Sequence, residues 1–293
     1  MPFMGTQMSS LLPLLAILCG CLAQCGCMSV TVRLSNFMSP DRAPRSATLP
    51  RGYAVQDLVI HRGERAIGIT HAHHPDSRSV VIFCGGDKFH RSIDGGEALE
   101  SLALGADVVL FDYPGYGDST GAPTRAALLD TALAVYDYTD TLQTSAGKKR
   151  VLYGFSLGGL VAAQVAHDRA ADGLVLEATA PNAESWARSR IPWFMKPLVT
   201  PRIDPDLADI DAPAALARFR GQVLLLTSRA DRQAPESLSA QMFKRLSQSG
   251  IRTQLVVFAH APHGEINQSR AFAPVFRQFL EQLQEPRWAL ARR

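Results

Sequence analysis

A serine at the junction of an apolar run and a helical pattern is the residue in this sequence best placed to do chemistry. The run VLYGF at 151–155 predicts a buried strand, and the residues from 157 to about 170 predict a helix. Ser156 joins them within a Gly-x-Ser-x-Gly turn, where a Cβ at Gly154 or Gly158 would collide with neighbouring backbone. So sharp a turn exposes Ser156 at the edge of the sheet, which makes it the candidate nucleophile. The competing interpretation is a glycine-rich turn with a helix-capping serine.

A serine hydroxyl is a weak nucleophile at neutral pH, so it needs a histidine base, which in turn needs an acid to orient it. We expect these groups in the chain order serine, acid, histidine, each just past the carboxyl end of a strand. Asp231 follows the apolar run 222–227, and His263 follows the run 253–258. The alternative for Asp231 is a loop aspartate that only caps the helix opened by Pro235.

Both partners of the serine have a rival in the sequence. Glu177 lies near the end of the predicted strand 173–178 and is the alternative acid. His260 lies three residues before His263 and is the alternative base, although it could equally be a loop or core histidine.

The elements that must position these residues alternate between strands and helices. Apolar runs predict buried strands at 79–84, 107–111, 151–155, 173–178, 222–227 and 253–258, and helical patterns lie at 94–105, 124–144, 157–170, 235–249 and 271–283. This alternation predicts an α/β fold with a mostly parallel, doubly wound sheet and helices on both faces. Residues 53–60 and 64–71 predict an antiparallel hairpin at the edge of the sheet.

The predicted domain organisation has four parts: a leader (1–38), a proline-containing linker (39–51), one α/β domain (52–285) and a basic tail (286–293). Within the domain, residues of about 182–220 fall outside the strand and helix rhythm and predict a small lid insertion. The apolar residues of this insertion suggest a hydrophobic acyl pocket, or simply a seal of the lid onto the core. Its four aspartates predict a solvated face; they are Asp204, Asp206, Asp209 and Asp211.

Four motifs together resemble the α/β-hydrolase superfamily, over roughly residues 52–285. They are GFSLGG at 154–159, DYPGYG at 112–117, Asp231 three residues before Ala234-Pro235, and His263-Gly264. Among its branches the sequence is most similar to the small-lid serine hydrolases of the Bem46/ABHD13-like and serine-aminopeptidase-like groups. The resemblance implies a serine hydrolase with Ser156 as nucleophile and Asp231 as acid. It favours His263 over His260, because the family's histidine directly precedes a glycine or a small polar residue.

The oxyanion hole of such an enzyme needs backbone N–H donors, which the resemblance assigns to Leu157 and Gly86. Relatives usually carry His-Gly-x in the loop of Gly86, whereas this chain has Cys84-Gly85-Gly86. We expect Cys84 to be a small buried residue and not a reactive thiol. We interpret Tyr113 and Tyr116 as packing residues near the pocket wall.

Composition excludes some other classes of function. The chain has 293 residues, of which 46% are hydrophobic and 19% charged, which is typical of a globular protein. A net charge of +3 without a basic stripe argues against a nucleic-acid partner. We expect no metal or other cofactor. The histidines at 71, 73 and 74 lack a carboxylate at ligand spacing and predict an exposed turn, and the cysteines at 19, 21, 25 and 27 have no histidine nearby.

The N-terminus has the features of an export signal. No Asp, Glu, Lys or Arg occurs at 1–32, and the mostly apolar run 11–23 is short for a membrane span but suits a signal peptide. The sequence LCGC at 18–21 resembles a bacterial lipobox, so Cys21, or else Cys27, is the candidate for lipidation. We therefore expect an exported, membrane-associated lipoprotein. The alternatives are an uncleaved anchor and a cytoplasmic protein whose gene start is placed too early.

The function expected from the sequence is hydrolysis of an ester, thioester or amide bond through an acyl-enzyme intermediate, with a small-molecule or acyl substrate as partner. Two alternatives stay open at this point. One is an acyltransferase that uses the same three residues, and the other is a catalytically idle, membrane-tethered binding lipoprotein. The sequence leaves the physiological substrate and the oligomeric state open.

Overall fold

The computed structural model describes residues 28–34, 51–142 and 146–285. Its main feature is an eight-stranded sheet with the spatial order β10-β9-β7-β6-β4-β5-β3-β2. The strands are β2 (Ala54–Arg62), β3 (Arg65–His73), β4 (Ser79–Cys84), β5 (Asp107–Phe111), β6 (Lys149–Phe155), β7 (Gly173–Glu177), β9 (Gln222–Ser228) and β10 (Thr253–Phe258). The six strands from β4 onward in this sheet pair in parallel, whereas β3 is antiparallel to both β2 and β5.

Helices cover both faces of this sheet. The longer ones are α1 (Arg91–Leu102), α2 (Arg125–Thr141), α3 (Leu157–Asp168), α7 (Glu236–Gln248) and α8 (Phe272–Gln284). Val135 of α2 and Val161 of α3 belong to one buried cluster, and Leu99 of α1 and Phe276 of α8 belong to a second. Every residue of β4 and β5 is buried, as expected for central parallel strands with apolar contacts on both faces.

These elements confirm the predicted α/β fold, the doubly wound sheet and the edge hairpin. One boundary prediction is wrong, since α1 begins at Arg91 and not at Asp94. Asp94 does act near the helix start, because its carboxylate accepts a hydrogen bond of 3.0 Å from the backbone N–H of His90. The Asp94 side chain therefore bonds back to His90, the residue directly before the helix, and the helix begins three residues earlier than predicted.

The predicted insertion lies between β7 and β9 and contains short elements. They are α4 (Ala183–Arg190), β8 (Val199–Ile203), α5 (Pro205–Ala208) and α6 (Ala212–Ala215), followed by a 3-10 turn at Leu216–Arg218. The sequence did not predict the partner of β8, which is β1 (Met28–Val32), paired with it in parallel. Residues 28–34 thus contact the insertion, although they fall within the stretch 1–38 assigned to the leader. The candidate lipidation residues Cys21 and Cys27, and the tail 286–293, lie outside the described residues.

Candidate active site

Ser156 occupies a strained turn between β6 and α3, as its motif predicts. Its φ of 53° is positive, which is unusual for a residue other than glycine. A Cβ on Gly154 would lie 2.4 Å from the Cα of Gly159, and one on Gly158 would lie 2.0 Å from the carbonyl oxygen of Cys84. The backbone N–H of Ser156 also donates to the carbonyl of Glu177 at 2.8 Å. Close backbone contacts on both sides therefore hold the serine in its turn.

Asp231 and His263 meet at the carboxyl ends of β9 and β10. His263 Nδ1 lies 2.7 Å from Asp231 Oδ2, and the Asp231 side chain is almost completely buried. Because an ionised carboxylate only accepts hydrogen bonds, this contact places a proton on Nδ1. The other ring nitrogen, Nε2, is then the atom available to take a proton from a nucleophile when the imidazole is neutral.

The two interpretations of Asp231 turn out to be compatible. Its Oδ1 accepts hydrogen bonds from the backbone N–H groups of Gln233 at 2.7 Å and Ala234 at 2.8 Å, just before α7. Its Oδ2 is the oxygen that contacts His263. One carboxylate thus shapes the loop at the start of the helix and orients the histidine.

The structure also distinguishes Asp231 from Glu177, the alternative acid, and His263 from His260, the alternative base. Glu177 is buried and accepts a hydrogen bond from the Tyr153 hydroxyl, while Asp231 makes the contact to His263. Burial raises the pKa of Glu177 to about 7, against the hydrogen bond from Tyr153, which lowers it. His260 is exposed in the loop before His263. This placement agrees with the choice of Asp231 and His263.

The residue before the serine packs directly against the histidine. The rings of Phe155 and His263 are 5.0 Å apart between centroids and tilted by 41°. Gly264, which follows His263, has a φ of +85°, and a Cβ there would lie 3.3 Å from the Phe155 ring. The elbow and the histidine loop are therefore packed against each other through Phe155.

The two expected oxyanion donors are the backbone N–H groups of Leu157 and Gly86. Leu157 is the first residue of α3, so its N–H has no acceptor within the helix. Gly86 follows β4, and a Cβ there would lie 2.9 Å from the Phe155 ring. This contact explains the glycine at position 86 and places its loop against the residue that precedes the nucleophile.

Tyr113 and Tyr116 do more than the packing expected from sequence. Both rings are buried, and the hydroxyl groups donate to carbonyls of the Gly86 loop, Tyr113 to Gly85 at 3.1 Å and Tyr116 to Asp87 at 2.8 Å. The two hydrogen bonds hold the residues directly before and after Gly86, and so they fix the position of its loop.

Cys84 is a buried free cysteine, which confirms the expectation from sequence. Burial raises the pKa of its thiol to about 12, so the reactive thiolate form is disfavoured at neutral pH.

An apolar cleft opens beside Ser156. Its apolar lining comes from α3, from the segment after β7 and from the insertion: Leu157, Leu160, Ala178, Ala180, Ala183, Trp186 and Leu207. The Trp186 indole N–H donates to the carbonyl of Gln233 at 3.0 Å, which joins the insertion to the loop of Asp231. Sequence reasoning recognised the apolar insertion but did not single out Trp186 as a wall of the cleft.

A second, more polar cleft lies on the His263 side. Its polar lining includes Asp94, Glu97, Asn267 and Gln268, and it reaches Gly86. Asp87 lines both clefts, and burial raises the pKa of its carboxyl group. Sequence reasoning missed Asp87, for which the only signal was its position directly after the two glycines of the loop. The site therefore has an apolar side and a polar side.

One prediction about the histidines outside this site is wrong. His71 and His73 lie in β3 and not in an exposed turn, and the potential ligand atoms of His71, His73 and Asp107 are within 4.8 Å of one another. Asp107 also accepts a bond of 2.7 Å from Lys148 Nζ, so a lysine already balances its charge. Burial lowers the pKa of His71, which favours the neutral ring. We interpret this group as a buried ion pair with two neighbouring histidines.

Among the residues that the structure describes, no helix has the length and apolar character needed to cross a membrane.

Comparisons with known proteins identify a family for this chain. A family model described as alpha/beta hydrolase fold matches residues 82–279. The uncharacterized protein Rv2307c of Mycobacterium tuberculosis is 28% identical over 257 residues, which cover 85% of this chain and 86% of that protein. The lysophosphatidylserine lipase ABHD12 of Danio rerio is 28% identical over 203 residues, covering 62% of this chain and 52% of the relative. The chain thus matches only about half the length of that lipase.

Solved structures show the same fold at lower identity. The esterase Pf2001 of Pyrococcus furiosus has a TM-score of 0.66 at 18% identity, with 85% of this chain and 98% of the esterase covered. Carboxyl esterase 2 of Tuber melanosporum has a TM-score of 0.62 at 14% identity, with coverage of 85% and 94%. The family match over well more than half of the sequence shows that the chain belongs to the α/β-hydrolase superfamily, and with its lipase-named relatives that it is a hydrolase.

Proposed function

We propose that this hydrolase cleaves an ester, thioester or amide bond of an acyl substrate, with Ser156, His263 and Asp231 as its catalytic triad. The observation that carries the proposal is the 2.7 Å contact between His263 Nδ1 and Asp231 Oδ2, in a chain whose Ser156 occupies a strained elbow. The Phe155 ring packs against His263 and directly precedes the serine, so the base and the nucleophile belong to one packed unit.

The first half of the reaction forms an acyl-enzyme. Ser156 Oγ bonds to the carbonyl carbon of the substrate while its proton moves to His263 Nε2, and the carbonyl electron pair moves onto oxygen. The N–H groups of Leu157 and Gly86 stabilise this oxyanion, each donor contributing about 3 kcal/mol to the transition state. When the intermediate collapses, the bond to the leaving group breaks, and the leaving group takes the proton from His263.

The second half of the reaction releases the acid. A water molecule gives a proton to His263 Nε2 and bonds to the acyl carbon, and collapse of the second intermediate breaks the bond to Ser156 Oγ. His263 returns the proton to Ser156, so the enzyme is regenerated. Asp231 stays ionised throughout and stabilises the imidazolium that forms in each half.

The lining of the two clefts supports an acyl ester as the substrate. The cleft beside Ser156 is walled by Leu157, Leu160 and Trp186, and suits an apolar acyl chain. The cleft beside His263 is more polar, and suits a hydroxyl-containing leaving group. The names of the ABHD12 relatives, which are lysophosphatidylserine lipases, also support a substrate with one acyl chain.

Labelling with a fluorophosphonate probe tests the proposal, because the probe reacts with an activated serine. We expect labelling of the wild type and of a Ser237→Ala control, which changes an exposed serine on α7. Ser156→Ala and His263→Ala should abolish both labelling and p-nitrophenyl ester turnover. A well-folded wild type that does not label would contradict the triad and favour an idle binding protein.

A further inference from the structure

The insertion carries an exposed apolar turn between α4 and β8. Trp193 is 82% exposed, Phe194 is 62% exposed and Leu198 is 52% exposed, and the two aromatic rings contact each other edge to face at 6.0 Å. Single exposed apolar side chains are ordinary on protein surfaces, whereas three within six residues form a patch. We call residues 192–198 the apolar turn.

The N-terminal segment joins the fold next to this turn. In the parallel pairing of β1 with β8, Met28 lies opposite Val199, the residue that follows Leu198. The chain therefore enters β1 at the same end of the small sheet at which the apolar turn enters β8. Residues 1–27 precede Met28 and contain no charged residue, and their longest apolar run lies at 11–23. The exposed aromatic patch thus lies directly before the strand end at which Met28 pairs with Val199.

Basic side chains outnumber acidic ones in the sequence on both sides of the apolar turn, up to Asp204. Residues 183–203 contain four basic side chains, Arg188, Arg190, Lys196 and Arg202, against one acidic side chain, Glu184. Tryptophan is enriched at the level of lipid headgroups, and nearby Lys and Arg side chains are attracted to anionic lipids. An exposed aromatic patch that carries Lys196 and has further basic residues nearby in sequence has the composition of a surface that lies in a membrane interface.

We propose that the apolar turn is a membrane-docking surface, with Trp193, Phe194 and Leu198 inserted among the headgroups of a phospholipid bilayer. Trp186, in the same insertion, lines the cleft next to Ser156, so docking through this surface brings the apolar cleft close to the bilayer. The partner is thus a lipid surface that contains anionic lipid. This proposal concerns where the enzyme binds and does not depend on which bond it cleaves.

Fluorescence quenching by brominated lipid tests this surface in the full-length chain. Substitutions Trp186→Phe and Trp288→Phe leave Trp193 as the only tryptophan. On vesicles of brominated phosphatidylcholine and phosphatidylglycerol, we expect its emission to shift to the blue and lose at least about half of its intensity. The readout requires no ester turnover, so its failure and the failure of the proposed function are distinguishable.

The matched control moves the tryptophan to another exposed apolar position. Val59 lies on β2 at the far edge of the main sheet and is 45% exposed. A full-length chain with the further changes Trp193→Phe and Val59→Trp has the same N-terminal segment, so that segment acts equally in both proteins. We expect little quenching at position 59. Equal quenching at both positions, or none at Trp193, would overturn the proposal.

A second measurement applies if the single-tryptophan chain does not fold, which a thermal melt without a cooperative transition would show. In the wild-type background, Trp193→Phe should remove most of the quenching by brominated lipid, whereas Val59→Phe should leave it unchanged. Quenching that persists in full after Trp193→Phe would overturn the proposal. A stable complex of the turn with a protein partner, without quenching on vesicles, would assign the surface to protein recognition instead.

Discussion

At the scale of single residues, Asp231 links folding to chemistry. Its two oxygens serve different partners, the backbone N–H groups before α7 and the ring of His263. A side chain that only capped the helix could be replaced by asparagine at little cost, because asparagine caps equally well. Orientation of the histidine, by contrast, depends on an acceptor oxygen and on a negative charge. Replacement of Asp231 by asparagine therefore separates the capping role from the orienting role.

We predict that Asp231→Asn keeps the fold and lowers kcat for p-nitrophenyl acetate by a factor of about 10⁴. An amide N–H in place of the carboxylate oxygen stabilises the wrong tautomer of His263 and does not stabilise its imidazolium form. Steady-state kinetics and thermal melts measure the two effects. Asp76→Asn, at an exposed turn, is the control and should retain wild-type turnover. A loss of less than tenfold would contradict the assigned role of Asp231.

Glu177 makes stability depend on pH near neutrality. Burial raises its pKa in the folded state to about 7, whereas the ordinary pKa of a glutamate in an unfolded chain is 4.5. The folded state therefore binds more protons between these values, and stability is full below about pH 4.5 and declines as pH rises through about 7. The slope contributed by this one group is at most about 1.4 kcal/mol per pH unit.

We predict that Glu177→Gln removes this decline, because glutamine stays neutral and can still accept the bond from Tyr153. The measurement is the free energy of unfolding by urea at several pH values from 5 to 7.5, for the wild type and the variant. The difference between them should grow with pH in favour of the variant. Parallel curves would show that Glu177 does not titrate in this range.

At the scale of elements, the site is assembled by loops that follow neighbouring strands. The elbow follows β6, the Gly86 loop follows β4, and the acid and histidine loops follow β9 and β10. The elbow was predictable because a strand, a sharp turn and a helix lie within about twenty consecutive residues and have a local pattern. The hydrogen bonds that hold the Gly86 loop were not predictable, because Tyr113 and Tyr116 donate them from the loop after β5, about thirty residues away in sequence.

We predict that Tyr113→Phe lowers kcat by about tenfold and leaves KM nearly unchanged. The change removes the hydrogen bond to the carbonyl of Gly85, so the N–H of Gly86 is held less firmly where the oxyanion forms. Kinetics with p-nitrophenyl acetate measures both constants. Tyr138→Phe, in a half-buried ring on α2, is the matched control and should have no effect. An effect confined to KM would contradict a role in the transition state.

The insertion contributes a wall of the apolar cleft, which gives a prediction for Trp186→Ala. Loss of the indole removes apolar contact from the cleft and the hydrogen bond to Gln233. We expect kcat/KM for a p-nitrophenyl ester with a long acyl chain to fall about tenfold more than for the acetate. Trp193→Ala, at the apolar turn, should leave both values unchanged in solution without membranes. An equal loss for the two esters after Trp186→Ala would argue against an acyl cleft at this wall.

At the scale of the whole molecule, a buried ion pair joins parts of the chain that are far apart in sequence. Asp107 at the start of β5 accepts bonds from Lys148, from Ser77 and from the backbone of His74. Burial alone would raise the pKa of Asp107, but the bonds from Lys148 and Ser77 and the others together lower it. The folded state therefore stabilises the ionised carboxylate of Asp107. Its contribution to the free energy of unfolding is present above the pKa of the unfolded state and is lost as pH falls through the pKa of the folded state.

We predict that Lys148→Met destabilises the fold by about 3 kcal/mol at neutral pH, because it leaves the Asp107 carboxylate buried without its counter-charge. Urea unfolding measures the loss. Lys149→Met is the control, since Lys149 is partly exposed in its ion pair with Asp172, and should cost less than about 1 kcal/mol. Equal losses in the two variants would contradict the importance of the buried pair.

The sequence by itself determined the order of strands and helices, the elbow around Ser156 and the positions of the candidate acid and base. These features depend on periodicity and on motifs of a few consecutive residues, which act over one or two turns of chain. Only the tertiary structure decided that Asp231 and not Glu177 contacts His263, that Asp87 lines both clefts, and that β1 pairs with β8. Those facts depend on contacts between residues tens to more than a hundred positions apart, which packing of the whole sheet and insertion brings together.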